Sequence, residues 1–265
     1  MKYKMIAVDM DGTLLNSQYK ISPRTEAALK KAVESGIIYV TSTGRAMKGV
    51  EFVNDLFEKD LPFIIYNGAS VVMGKSRKTL FNKFLDFKLA SEVFDIGKSR
   101  DIPMVILTDK TLLTSSESQA VANYNKYYGM DIHMIDSMVE LEGENIYKIF
   151  WTDDPEKISG YQDEMLAHFA GSLNCHTSQP IYLEFVSKDA GKGGALKELG
   201  KIYGIDRSEI IAVGDGYNDI SMLEYAGLGA AMANAPDEIK AFCQHITASN
   251  DEDGVAILIE DFLLK

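Results

Sequence analysis

Carboxylates in this chain gather where apolar runs end. The run 5–8 leads into Asp9-Met10-Asp11-Gly12-Thr13, and far along the chain the run 210–213 leads into Gly214-Asp215-Gly216-Tyr217-Asn218-Asp219. Acidic side chains crowded this closely repel one another unless a hard divalent cation neutralises them, and an all-oxygen donor set favours Mg²⁺ over zinc. Either motif alone reads as an ordinary Asp-Gly turn. Two of them, each closing a buried-type strand ahead of a helix-like segment, point to metal-assisted phosphoryl transfer.

In that chemistry Asp9 is the candidate nucleophile, because a carboxylate attacking phosphorus gives a labile acyl phosphate that water can open in a second step. Asp11, two residues on, can face the leaving-group oxygen, protonate it, and later take a proton from the attacking water. Gly12 lets the chain turn sharply, and the Thr13 hydroxyl can hold the turn. Asp215 would complete the magnesium shell, Asp219 would orient the waters around the ion, and Asn218 offers an amide to the phosphate or its neighbours. Thr43-Gly44-Arg45 follows a strand, where a hydroxyl and backbone amides at a helix start would cradle a phosphate. The plainer alternative there is a helix N-cap followed by a surface arginine. Lys192, within Gly191-Lys192-Gly193-Gly194, falls at a helix start, where the helix dipole disfavours a cation and an anionic partner is wanted. It is expected to pair with Asp9 and the transferred phosphoryl group, with Lys188 as the competing choice.

These residues need elements that deliver them to one rim. Strands are expected at 4–8, 37–41, 63–66, 210–213 and 228–232, helices near 23–36, 46–57, 192–203, 218–225, 236–242 and 253–264, and a hairpin over 69–84. Ser22-Pro23 opens the first helix with an N-cap and a proline at the first helical position. Alternation of this kind implies an α/β fold, a doubly wound, mainly parallel, Rossmann-like sheet covered on both faces, whose ligands collect at the carboxyl ends of the strands. Residues 83–187 differ in texture: helices at 89–100, 118–128 and 155–170, and strands at 103–107, 111–114, 146–151 and 181–186. They read as an inserted α+β module, leaving 1–82 and 188–265 as the core, with hinges near 83 and 188. Tyr182, Glu184 and Phe185 alternate on a strand. Trp151 and the cluster from Tyr124 to Tyr128 read as packing.

Composition narrows the partners. A chain of 265 residues, 46% hydrophobic, can build a real core. Its net charge of −12 argues against nucleic acid and against anionic membrane surfaces, so an anionic substrate has to be attracted locally. Cys175 and Cys243 make neither a metal spacing nor a disulfide framework, and His133, His168, His176 and His245 are scattered. No apolar stretch reaches membrane-spanning length, and the start offers no room for a secretory segment, so a cytoplasmic protein is expected. Composition and spacing set no oligomeric state.

Taken together, Asp9-Met10-Asp11-Gly12-Thr13, Ser42-Thr43-Gly44-Arg45, Lys192 and Gly214-Asp215-Gly216-Tyr217-Asn218-Asp219 resemble, in order, the four motifs of the haloacid dehalogenase-like hydrolase superfamily, in its Cof-type branch with a large α/β cap. Asn67-Gly68-Ala69, Asn234-Ala235 and Asn250-Asp251-Glu252-Asp253-Gly254-Val255 also look like that branch. The resemblance implies Asp9 as nucleophile, Asp11 as acid/base, Thr43 and Lys192 as the phosphate-stabilising pair, and Asp9, the Asp11 carbonyl and Asp215 as magnesium ligands. It implies a magnesium-dependent phosphatase of a small phosphorylated metabolite, with sugar phosphates first and phosphorylated cofactors next. A phosphohexomutase and a non-catalytic magnesium-binding regulator are the alternatives. Retention of both Asp9 and Asp11 speaks for hydrolysis.

Overall fold

A computed structural model describes residues 2–119, 121–122 and 132–265, so most of the expected helix 118–128, with its Tyr124 to Tyr128 cluster, lies outside the described residues. The chain forms two compact units, Met1–Phe81 with Gly191–Lys265, and Asn82–Ala190.

In the first unit the strands β1 (Met5–Asp9), β2 (Ile38–Ser42), β3 (Pro62–Ile65), β4 (Ser70–Met73), β5 (Thr79–Asn82), β12 (Ile210–Gly214), β13 (Leu228–Ala231) and β14 (His245–Ile246) form one sheet in the order β14-β13-β12-β1-β2-β3-β4-β5. Pairing is parallel from β14 through β3, and β4 returns antiparallel. Every residue of β1 and β12 is buried, as a parallel strand covered on both faces requires. From β1 the chain winds outward to β2 and β3 on one side, and β12 and β13 lie on the other, which makes the β1–β12 junction the switch point where ligands collect. Register sets Val8 beside Val213 and Asp9 beside Ser42. The motif-bearing turns after β1 and β12 therefore emerge at the same end of adjacent strands.

Helix α1 (Pro23–Glu34) starts as its sequence dictates, with the Ser22 hydroxyl accepting from the Thr25 N–H at 3.1 Å and Pro23 at the first position. The expected helix 46–57 does not form as one piece. A 3₁₀ turn, Met47–Val50, runs into a single turn, α2 (Glu51–Asn54); no side chain caps either start, and Gly49 sits inside.

The second unit holds β6 (Met104–Thr108), β7 (Leu112–Thr114), β8 (Ile132–Met134), β9 (Ile146–Thr152), β10 (Leu173–Gln179) and β11 (Tyr182–Ser187), ordered β10-β11-β9-β6-β7-β8, with α3 (Phe87–Ser99) and α4 (Pro155–Phe169). Phe94, Met165, Trp151 and Phe185 share its core, with the Trp151 and Phe185 rings 4.7 Å apart. Phe185 faces that core, and its neighbour Glu184 is buried against Lys148, whose ammonium reaches both carboxylate oxygens at 3.0 Å. Strand β10 is hard to read in the sequence because only Leu173 and Cys175 of Leu-Asn-Cys-His-Thr-Ser-Gln are apolar, too short an alternation to mark a strand; pairing with β11 supplies what its composition does not.

Candidate active site

Asp9 is the last residue of β1, and the next strand over, β12, ends at Gly214, so Asp215 follows directly. Helix α5 (Lys192–Tyr203) begins at Lys192 itself, and Asp219 precedes the short helix α6 (Ile220–Tyr225). The Lys192 ammonium lies 2.5 Å from Asp9 Oδ1 and 2.6 Å from Asp219 Oδ1 and is fully buried. Helix α5 comes this close because residue 68 is a glycine: a Cβ there would stand 2.3 Å from the Gly191 carbonyl oxygen. Asp219 Oδ2 accepts the Asp215 and Gly216 N–H groups at 3.0 and 2.9 Å, and Asp215 Oδ1 accepts the Thr13 hydroxyl at 2.8 Å. Gly12 serves two ends at once. Its φ is +82°, and an added Cβ would meet Asp215 Oδ2 at 2.3 Å.

Asp9, Asp215 and Asp219 each offer an oxygen atom, all within 4.8 Å of one another. One lysine ammonium faces three carboxylates, and the imbalance shows in their acidities. Burial, then the charge of Asp219, pushes the Asp9 carboxyl well above the usual range against the pull of Lys192. Burial pushes Asp215 up to about 6, opposed by the Thr13 hydrogen bond and reinforced by Asp219. Burial works to lower Lys192, but Asp219 and Asp9 outweigh it, and its pKa is raised, so the ammonium stays charged. Hard carboxylate oxygens carrying a surplus of negative charge around one ammonium suit a divalent cation such as Mg²⁺.

A stability test follows from Asp215. Its folded pKa lies above the unfolded value near 4, so its contribution is fully present below about pH 4 and is lost as pH rises through about 6. Between pH 4 and 7 without cation, the wild type is expected to lose about 1 to 3 kcal/mol more stability than Asp215→Asn. Thermal denaturation across that range in chelator checks it; equal losses in both proteins would contradict it.

Asp11 stands apart from the acidic trio. Arg45 grips its carboxylate with two N–H groups, Nε to Oδ2 at 2.8 Å and Nη2 to Oδ1. The plainer reading of Arg45 as a surface residue is thereby corrected: it is 8% exposed, while the Asp11 side chain is 46% exposed. Thr43 is not at a helix start either. Its N–H bonds the Ile64 carbonyl at 2.9 Å, and its hydroxyl accepts the Arg45 N–H at 3.1 Å, so the segment is a bend shaped by its own side chain. Gly44 passes close to Asn67, whose Oδ1 would lie 3.0 Å from an added Cβ. The same Oδ1 accepts from Asn218 Nδ2 at 3.0 Å, and the Asn67 N–H bonds the Thr43 carbonyl at 3.0 Å.

Arg45 and Asn67 are the residues that chemistry-by-type missed. The signal for Asn67 was the Asn-Gly pair straight after a strand; in the fold it takes φ +54° and ties the Thr43 bend to Asn218. None of His133, His168, His176 and His245 belongs to the acidic trio, and His168 pairs with Glu92 at 2.8 Å. Lys188 is exposed, and its carbonyl accepts from Asn174 at 3.2 Å.

Residues 6–259 match the family model of haloacid dehalogenase-like hydrolases. The chain belongs to that family, in its Cof-type branch, and is a phosphatase, a phosphoric monoester hydrolase. It is 34% identical to the 5-amino-6-(5-phospho-D-ribitylamino)uracil phosphatase YwtE of Bacillus subtilis strain 168, over 98% of each chain. It is 31% identical to the putative phosphatase YxeH of the same organism, over 99% of each chain. Among solved structures, a haloacid dehalogenase-like hydrolase from B. subtilis matches with a TM-score of 0.87 at 30% identity, covering 98% of this chain and 100% of that one. One from Bacteroides thetaiotaomicron matches with a TM-score of 0.86 at 30% identity, covering 98% and 99%. No helix among the described residues is long and apolar enough to cross a membrane.

Proposed function

We propose that this phosphatase is magnesium-dependent and hydrolyses a small phosphorylated metabolite, a sugar or sugar-alcohol phosphate, through an aspartyl-phosphate on Asp9. The observation that carries the reading is the buried Asp9 carboxylate, held on one oxygen by Lys192 and grouped with Asp215 and Asp219. The phosphoribityl group in the substrate of the Bacillus relative supports the substrate class. Residues 83–187 are proposed as the cap that selects the leaving group, and 1–82 with 188–265 as the hydrolase core.

Mg²⁺ would be held by Asp9, Asp215 and the Asp11 carbonyl, and when bound it offsets phosphate and carboxylate charge. Asp219 accepts Lys192 on one oxygen and two backbone N–H groups on the other, so its role is to hold Lys192 and the Asp215 turn and to orient waters around the ion. In the first step an Asp9 oxygen forms a bond to phosphorus as the bond to the leaving oxygen breaks, and Asp11 gives that oxygen a proton. In the second, water attacks phosphorus, its proton passes to Asp11, and the bond from phosphorus to Asp9 breaks. Arg45 presents Asp11 for both transfers. Each Asp11 oxygen accepts one guanidinium N–H and retains another lone-pair direction for the proton it carries. Lys192, with Thr43, Gly44 and Asn218 fixed around Asn67, would steady the transferring phosphoryl oxygens.

Phosphate release from a panel of sugar phosphates, sugar-alcohol phosphates, nucleotides and phosphorylated cofactors tests the proposal. Release is expected from the first two groups, to stop in chelator, and to return with Mg²⁺. Release indifferent to chelator would remove the cation from the account. Isomerisation of a bisphosphate-primed hexose phosphate with little free phosphate would make the enzyme a mutase.

A further inference from the structure

Two of the sequence features that resemble the Cof-type branch, Asn234-Ala235 and the segment from Asn250, have no part in the steps above, yet their side chains converge on the catalytic turn. Asn234 Nδ2 donates to the Gly12 carbonyl at 2.8 Å and reaches Asp215 Oδ2 at 3.5 Å, while its Oδ1 accepts the Asn250 N–H at 3.0 Å. This fixes which way the amide points: reversed, it would set oxygen against two oxygens and N–H against N–H. Asn250 Nδ2 donates to the Leu15 carbonyl at 2.9 Å, and Asp251 Oδ1 accepts the Ser17 N–H at 2.8 Å, so the segment also straps the chain just beyond the nucleophile motif.

The consequence falls on Asp215. Thr13 donates to its Oδ1, Asn234 approaches its Oδ2, and the side-chain-free Gly12 packs against the carboxylate plane. Hydrogen bonds of this kind set the orientation of a ligating carboxylate and thereby its affinity for the ion. We propose that Asn234 is a positioning residue whose amide, locked by the Asn250 backbone, orients Asp215 and thereby sets the Mg²⁺ affinity of the site. The proposal rests on the magnesium-dependent reading above. Thr13 and Asn234 approach Asp215 from the two ends of the chain, so the carboxyl-terminal segment is written into the cation site through one side chain.

The test is calorimetric titration of the full-length protein with MgCl₂, for wild type, Asn234→Ala and Asn250→Ala, with thermal denaturation in chelator beside it. Asn234→Ala is expected to weaken Mg²⁺ binding by about tenfold and to raise the Mg²⁺ concentration for half-maximal phosphate release in parallel. Asn234 is exposed, so the variant folds, and its melting temperature in chelator should fall by only a few degrees. Asn250→Ala keeps the backbone N–H that locks Asn234 and is expected to change Mg²⁺ affinity far less. Unchanged affinity in Asn234→Ala overturns the proposal and leaves the phosphatase reading standing. Equal losses in both variants also overturn it, because the effect would then belong to the strapped loop. Absence of Mg²⁺ binding in the wild type would take down the magnesium-dependent reading together with this one.

Discussion

Asp9→Asn is expected to release phosphate at least about 10⁴-fold more slowly than the wild type while melting no lower in chelator. Loss of rate follows because a neutral amide is a poor nucleophile toward phosphorus and cannot form the acyl phosphate. The stability expectation follows from electrostatics. Asp9 is buried beside Asp219 and Asp215, and both burial and those charges disfavour its ionised form. Asparagine keeps the shape and keeps an oxygen for the Lys192 ammonium, but removes one of the mutually repelling charges. Activity lost with stability kept marks a residue retained for chemistry. Phosphate assays and thermal melts on one preparation check both halves; near-normal turnover would overturn the nucleophile assignment.

Lys192→Ala is expected to behave differently, lowering both rate and stability. The ammonium is fully buried and held by two carboxylates, so its removal leaves Asp9 and Asp219 facing each other without their cation. Removing one partner of a buried ion pair costs about 3–5 kcal/mol of stability, and loss of a preorganised charge at the phosphoryl group costs about 10²–10³ in kcat. Lys188→Ala is the control. Lys188 is exposed, and its backbone carbonyl, retained in that variant, accepts the Asn174 bond, so neither quantity should move by more than a small fraction of those amounts. A variant at position 192 that kept full rate, or a larger loss at 188, would move the cationic role elsewhere.

Much of this arrangement was legible in one dimension. Short, β-branched apolar runs such as Met-Ile-Ala-Val and Ile-Ile-Ala-Val read as strands buried on both faces, and an acidic turn after each announces a shared carboxyl-end rim. Lys192 stood out because a cation at a helix start needs an anion, and the fold supplies two. Arg45 did not stand out, since its partner Asp11 lies 34 positions away and only the pairing of β1 with β2 brings the two turns together. Asn67 entered only through the likeness of Asn67-Gly68-Ala69 to the Cof-type branch, because its tie to Asn218 spans 151 positions and depends on the β1–β12 junction. The segment 46–57, expected as one helix, breaks into a 3₁₀ turn and a single α turn because no residue caps a helix there. β10 escaped because it becomes a strand only through its partner β11.

The covalent step at Asp9 is tested most directly by trapping. Enzyme caught by acid quench during turnover of a sugar phosphate, then reduced with borohydride, should yield a peptide in which homoserine replaces Asp9, since hydride reduces an acyl phosphate to the alcohol and spares free carboxylates. Homoserine at no position, or only at another acidic residue such as Asp11 or Asp215, would contradict phosphoryl transfer through Asp9.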